Sequence, residues 1–134
     1  MAYDRELISN GSPMEELIGF SRAVRVGPFI SVGGTAPVDA AGNTVGVGDV
    51  AAQTRRCIEI IRDALERAGS GLHDVVRLRI LLTDIADWKA AVEVRKAYFG
   101  DIRPVDTIMA VSRFVNPDWL IELEADAIIE SWQG

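Results

Sequence analysis

The sequence predicts an α+β sandwich: a mixed sheet with two long helices on one face, in the element order β-β-α-β-α-β-β. Three observations predict it. Two stretches, Val50–Ala68 and Asp87–Phe99, are helix-length and bounded by capping residues, the first with a clear three- and four-residue apolar spacing. Five shorter runs of alternating or continuous apolar residues surround them as strands. Because the helices follow separate parts of one sheet, both pack on the same side of it. At 134 residues, with no linker, repeat or low-complexity segment, the chain reads as one domain spanning residues 1–134.

The elements follow in order. Leu7 and Ile8 form a short apolar patch before Asn10-Gly11-Ser12-Pro13, a turn cluster. Phe20–Val26 alternates as a half-buried strand does. Gly27-Pro28 turns the chain into a second strand from Phe29 to Val32, so the two form a hairpin. That strand ends in Gly33-Gly34-Thr35, where paired glycines mean either a plain bulge or a place for a ligand against the backbone. The loop Asp39–Gly48 contains Gly46-Val47-Gly48, a fragment of a dinucleotide fingerprint. It is a false match, because the third glycine position is Ala51 and no parallel strand leads directly in.

Asp49 caps the first helix and Gly69 stops it. Val50, Cys57, Ile58, Ile61, Leu65 and Ala68 make its buried stripe, and charged residues cover the other side. Cys57 in that stripe is structural. Val75–Leu82 reads as a central strand covered on both faces. Asp87 and Gly100 bracket the second helix. The last third supplies two more strands, Thr107–Val111 and Leu120–Ile129, joined by a loop holding Asn116, Pro117 and Asp118. In the final strand Glu122 and Glu124 alternate with Ile121, Leu123 and Ala125, so both carboxylates share one face. The helices leave the other sheet face bare. With Ile80, Leu82, Ile108 and Val111 as its candidate apolar residues, that face is expected to bury itself by homo-oligomerisation.

Composition removes several classes of function. Hydrophobic residues make up 49% and charged residues 25%, the balance of a folded soluble protein. A net charge of -6 argues against nucleic-acid binding, which needs Lys and Arg to neutralise phosphates, and gives no pull toward anionic membranes. One cysteine and one histidine poorly support a His/Cys zinc site or a Ser-His-Asp triad, and His73 lies in a Gly-Ser-Gly turn as a solvated residue. The polar N-terminus lacks a signal peptide, no apolar run reaches transmembrane length, and cytoplasm is the expected location.

Several landmarks recur in a fixed order. They are Ser21-Arg22-Ala23-Val24-Arg25-Val26-Gly27 leading to Ile30–Gly34, Asp49-Val50-Ala51-Ala52-Gln53, Asp74-Val75-Val76, and Leu82-Thr83-Asp84. Phe99, Pro104, Arg113 and Ile121-Glu122-Leu123-Glu124-Ala125 complete the set. In order and spacing they resemble the Rid family of reactive-intermediate deaminases (YjgF/YER057c/UK114), from about Ser21 to Ile129. The resemblance implies a chorismate-mutase-like fold, assembled as a homotrimer around a sheet-lined barrel with small-molecule pockets in the clefts between subunits. It also implies hydrolysis of enamines and imines to keto acids and ammonia, with no metal or organic cofactor.

Carried over by position, Glu122 falls on the glutamate that positions the attacking water. The arginine that anchors a substrate carboxylate falls on Asp106. Phe20 stands where the family has a pocket-closing tyrosine, Gly33 (followed by Gly34) where it has a serine, and Ile108 where it often has a cysteine. Trp88 is placed to line the pocket from the second helix. The change at position 106 reverses a charge. Two unit charges 4 Å apart interact by about 4 kcal/mol at an effective dielectric of 20, so the usual anchoring of an anionic substrate is disfavoured unless Arg103 or Arg113 substitutes.

Two functions compete. One is an enamine or imine hydrolase with a non-standard, larger or aromatic-derived substrate, in which Glu122 activates water and Asp106 holds an amino group or shares a proton with Glu122. The alternative is a non-catalytic trimeric protein that binds a small neutral or cationic metabolite. Each key residue also has a plain explanation: Asp106 as a surface turn residue, Glu122 as a strand glutamate paired with an arginine across a subunit boundary.

Overall fold

The structure, a computed structural model, describes residues 3–134. Along the chain run β1 (Arg5–Ile8), α1 (Pro13–Ile18), β2 (Ala23–Val26), β3 (Phe29–Thr35), α2 (Val50–Arg67), β4 (Val75–Leu82), α3 (Trp88–Phe99), β5 (Val105–Ala110) and β6 (Ile121–Ile128). The strands form one six-stranded sheet in the order β1-β2-β3-β6-β4-β5. The β4–β5 pair is parallel and all the others are antiparallel, so the sheet is mixed as expected.

Two elements at the N-terminal end add to the expected order. Asn10–Pro13, read as a turn, is the entry to α1. The Ser12 hydroxyl accepts from the Met14 backbone N–H, the Glu15 carboxylate reaches back to the Ser12 N–H, and Pro13 takes the first helical position. No residue of this six-residue helix is buried, so no apolar period marks it. The Leu7-Ile8 patch belongs to β1, an edge strand paired with β2.

The helix layer supplies the core. Asp49 caps α2 by accepting from the Ala52 N–H, and Cys57, Ile58, Ile61 and Leu65 are fully buried beneath it. Each such aliphatic side chain removed from water is worth about 1.5–3 kcal/mol. From the sheet, Ile30, Leu78, Ile80, Leu82, Ile121 and Leu123 meet them, all at 0% exposure.

This burial corrects two expectations. Ile80 and Leu82 are core residues under the helices and do not line the bare face. The half-buried Ile108 opposes Ile80 in the register and packs with them. Val111 follows β5, its N–H bonded to the Leu82 carbonyl. Nor is β4 covered on both sides, since Arg77, Arg79 and Leu81 alternate onto the open face.

The open face is more ionic than predicted. Along β6 it presents Glu122, Glu124, Asp126 and Ile128, opposite Leu81, Arg79, Arg77 and, across β3, Ser31 and Phe29. Glu124 pairs with Arg79 at 3.1 Å, and the Ser31 hydroxyl donates to Asp126 at 2.9 Å. Exposed apolar residues, among them Leu7, Phe29, Ile128 and Val105, stand toward its margins.

Candidate functional site

The residues around Glu122 converge through a break in the β3–β6 ladder. Register is regular from Phe29 to Val32, shifts between Val32 and Thr35, and resumes with Thr35 opposite Leu123. Gly33 and Gly34 occupy the shift, so the bulge expected from the glycine pair is present. A Cβ built on Gly34 would lie 2.9 Å from Glu122 Oε1, and one on Gly33 would lie 3.2 Å from Arg22 Nη2. The glycines therefore admit a carboxylate and a guanidinium against the backbone, one on each.

Arg22 is the residue that the sequence reading passed over. It precedes β2 on the same side of the sheet as Gly33, whose N–H donates to the Arg22 carbonyl. Only 8% of it is exposed. Its Nη2 donates to the Gly34 carbonyl, its guanidinium lies 5.7 Å from the Phe20 ring centroid, and its Nε has no hydrogen-bond partner. A signal was available. In the alternation Phe20, Arg22, Val24, Val26 one charged residue sits in an apolar row beside two glycines.

Electrostatics single out the same group. Burial pushes the Glu122 carboxyl above its ordinary value, the Arg22 charge pulls it back, and Glu124 pushes it up again. Burial works against the Arg22 charge, while Glu15 and Glu122 support it. Cys57, across the sheet on α2, is raised first by burial and then by Glu122, so it stays a neutral thiol. Beside the cluster, a depression of about 390 Å³ on the open face is lined by Ser31, Gly33, Arg77, Arg79, Glu124 and Asp126.

Other expected site residues lie elsewhere. Asp106 opposes Leu78 in the parallel β4–β5 register, which puts it on the helix side of the sheet, opposite to Glu122. There its Oδ2 is 3.0 Å from Arg95 Nε, an ion pair by distance that lacks the alignment of a hydrogen bond. Ile108 shares that side. Trp88 opens α3, 43% exposed, with the Lys89 ammonium 5.6 Å from its ring. Arg103 takes a left-handed turn conformation (φ 57°) after α3, and both Arg103 and Arg113 are exposed. Thus one chain brings together Phe20, Gly33, Gly34 and Glu122, adds Arg22, and leaves Asp106, Ile108 and Trp88 apart. Among the described residues, no group of three or more His, Cys, Asp or Glu side chains is placed to hold a metal, and no helix is long and apolar enough to cross a membrane.

Comparison with known proteins agrees with this architecture. A family model described as Endoribonuclease L-PSP matches residues 12–129. A RutC family protein of Pyrococcus abyssi is 38% identical over 126 residues, covering 94% of this chain and 98% of the relative. The 3-aminoacrylate deaminase RutC of Acinetobacter baylyi is 36% identical over 121 residues, covering 90% and 94%. The crystal structure of Rv2704 from Mycobacterium tuberculosis, a YjgF/YER057c/UK114 family member, superposes with a TM-score of 0.87 at 44% identity, covering 94% of this chain and all of that one. Sequence match and shared sheet-and-helix layout together establish that this chain belongs to the YjgF/YER057c/UK114 (Rid) family, with its chorismate-mutase-like fold.

Proposed function

We propose that this protein, acting as a single-domain homotrimer in the cytoplasm, hydrolyses an enamine or imine to a carbonyl compound and ammonia, with Glu122 activating the water. The carrying observation is the Glu122 carboxylate, held against a side-chain-free bulge, with its hold on a proton strengthened by burial. An enamine first takes a proton on carbon to become the iminium ion, the protonated form of the imine. Water then adds to the C=N carbon as Glu122 removes its proton. Delivered to nitrogen, that proton makes ammonia the leaving group, and as the C–N bond breaks the C=O bond forms while the carbinolamine hydroxyl gives its proton to Glu122. The named activity of the Acinetobacter relative, 3-aminoacrylate deamination, supports this reaction class. A net charge of -6 supports no role in RNA cleavage.

The substrate differs from the 2-imino acids of the family pattern. Asp106 replaces the anchoring arginine, and its partner Arg95 is already neutralised by it. Since Asp106 and Glu122 lie on opposite faces of one sheet, a cleft containing both has to draw them from two copies. Such a cleft favours a neutral or cationic substrate, with Phe20 against its apolar part and Trp88 a further lining residue.

The test offers purified protein a carboxylated enamine (3-aminoacrylate) and an uncharged aromatic enamine, and follows ammonia. The uncharged compound is expected to turn over faster, and Glu122→Ala to lower the rate by about a hundredfold or more, the usual worth of a general base. Activity surviving that change removes Glu122 from the mechanism. The Arg95–Asp106 pair, which leaves position 106 no free cation, also favours a second reading: a trimer that binds a neutral metabolite without reaction. A ligand that raises the melting temperature and is recovered unchanged supports it.

A further inference from the structure

Arg22 needs its own account. An arginine only 8% exposed is expensive to keep charged unless carboxylates pair with it, yet among the described residues none reaches salt-bridge distance. One Nη2 bond to the Gly34 carbonyl, the Phe20 ring and an unpartnered Nε are a poor return for its burial. Gly34, though, touches both charged groups. Its carbonyl takes the guanidinium, and its missing Cβ leaves room for Glu122 Oε1.

We infer that Arg22 is a positioning residue for Glu122, fixing the Gly33–Gly34 bulge against which the carboxylate rests and supplying its counter-charge across that bulge. This rests on the reading of Glu122 as the water-activating group. The separation matters. A bidentate arginine–carboxylate pair would occupy both carboxylate oxygens, whereas a cation held off by one residue favours the anion and leaves an oxygen free to accept a proton. Its Nε is closed off from solvent and its Nη2 is engaged by the Gly34 carbonyl, so the contact that Arg22 makes with the cluster runs through the bulge on which Glu122 rests. The other charged or titratable groups acting on the pair are Glu124 on β6, Glu15 on α1 and the Cys57 thiol across the sheet.

The experiment requires no substrate, so it can fail while the hydrolase reading stands, and the reverse. The side-chain carboxyl of Glu122 is titrated by carbon-13 NMR in the wild type, Arg22→Gln and Arg22→Lys, with Glu122→Gln giving the assignment and circular dichroism checking the fold. The midpoint is expected to move to higher pH in R22Q and to stay near wild type in R22K, which keeps the charge. An unmoved midpoint in R22Q, or an equal movement in R22K, overturns the inference. A second measurement leaves Arg22 intact: the nitrogen-15 shift of its Nε is expected to follow the Glu122 titration in wild type and to lose that step in E122Q. No such step in the wild type overturns the inference even if R22Q does not fold.

Discussion

A hydrogen atom in place of a methyl group decides what Glu122 can do. Gly34 is not in a positive-φ conformation, so alanine meets only the far end of a flexible carboxylate, 2.9 Å away. Gly34→Ala is therefore expected to keep its melting temperature within a few degrees while ammonia release falls by tenfold to about a hundredfold, the effect of misplacing a catalytic group by about 1 Å. The charge of Glu122 also links folding to pH. Its native pKa lies above the ordinary value of 4.5 because burial disfavours the carboxylate. The folded chain thus keeps a proton that the unfolded chain has lost, and this favours folding fully below 4.5 and is lost as pH rises through the native value. Glu122→Gln does not titrate. The wild-type melting temperature, measured relative to E122Q, should fall as pH is raised from about 4 to about 7, and a constant difference would contradict the burial assigned to Glu122.

At the scale of elements, Gln53 ties the helix layer to the loop that delivers β6. Fully buried on α2, its amide donates to the Gly46 and Asp118 carbonyls at 3.2 and 2.9 Å and accepts from the Leu120 N–H at 2.8 Å. Gln53→Leu keeps the bulk and strands those backbone groups, so urea unfolding should show a loss of about 2–4 kcal/mol. A change at the exposed Arg55, one turn face away, should stay within about 0.5 kcal/mol. Gln53 was visible in the sequence only as part of a family landmark, because its partners are distant in the chain. Elements with a strong local pattern were fully legible: Val75–Leu82 forms a strand from end to end and α2 begins at its Asp49 cap. The six-residue α1 buries nothing and carried no period. Strand order was hidden for another reason. β6 inserts between β3 and β4, and only that long-range register tells which face Asp106 and Glu122 occupy, since a slip of one residue exchanges the faces.

For the whole molecule, the proposed trimer would bring copies together at the open sheet face. Its centre sets Glu122, Glu124 and Asp126 against Arg77 and Arg79, with Arg22 behind, so the charges come close to cancelling although the chain carries -6 overall. A nearly neutral ionic centre with apolar margins can pack against copies of itself, where an acidic face would repel them. Sedimentation is expected to give three times the 14.6 kDa chain mass, and a species of one chain mass would remove the trimer and with it the shared cleft. Arg79→Glu tests the reason. It breaks the 3.1 Å pair with Glu124 and leaves four acids facing Arg77 and Arg22. Because Arg79 is substantially exposed in the single chain, folding of the protomer should change by less than about 1 kcal/mol. The proposed assembly would bring such faces together out of water, where like charges cost several kcal/mol. The variant should therefore sediment as a folded single chain at micromolar concentration. If it does, ammonia release should fall with it, even though Arg79 lies outside the Glu122 cluster, because the cleft that would join Asp106 to Glu122 no longer forms.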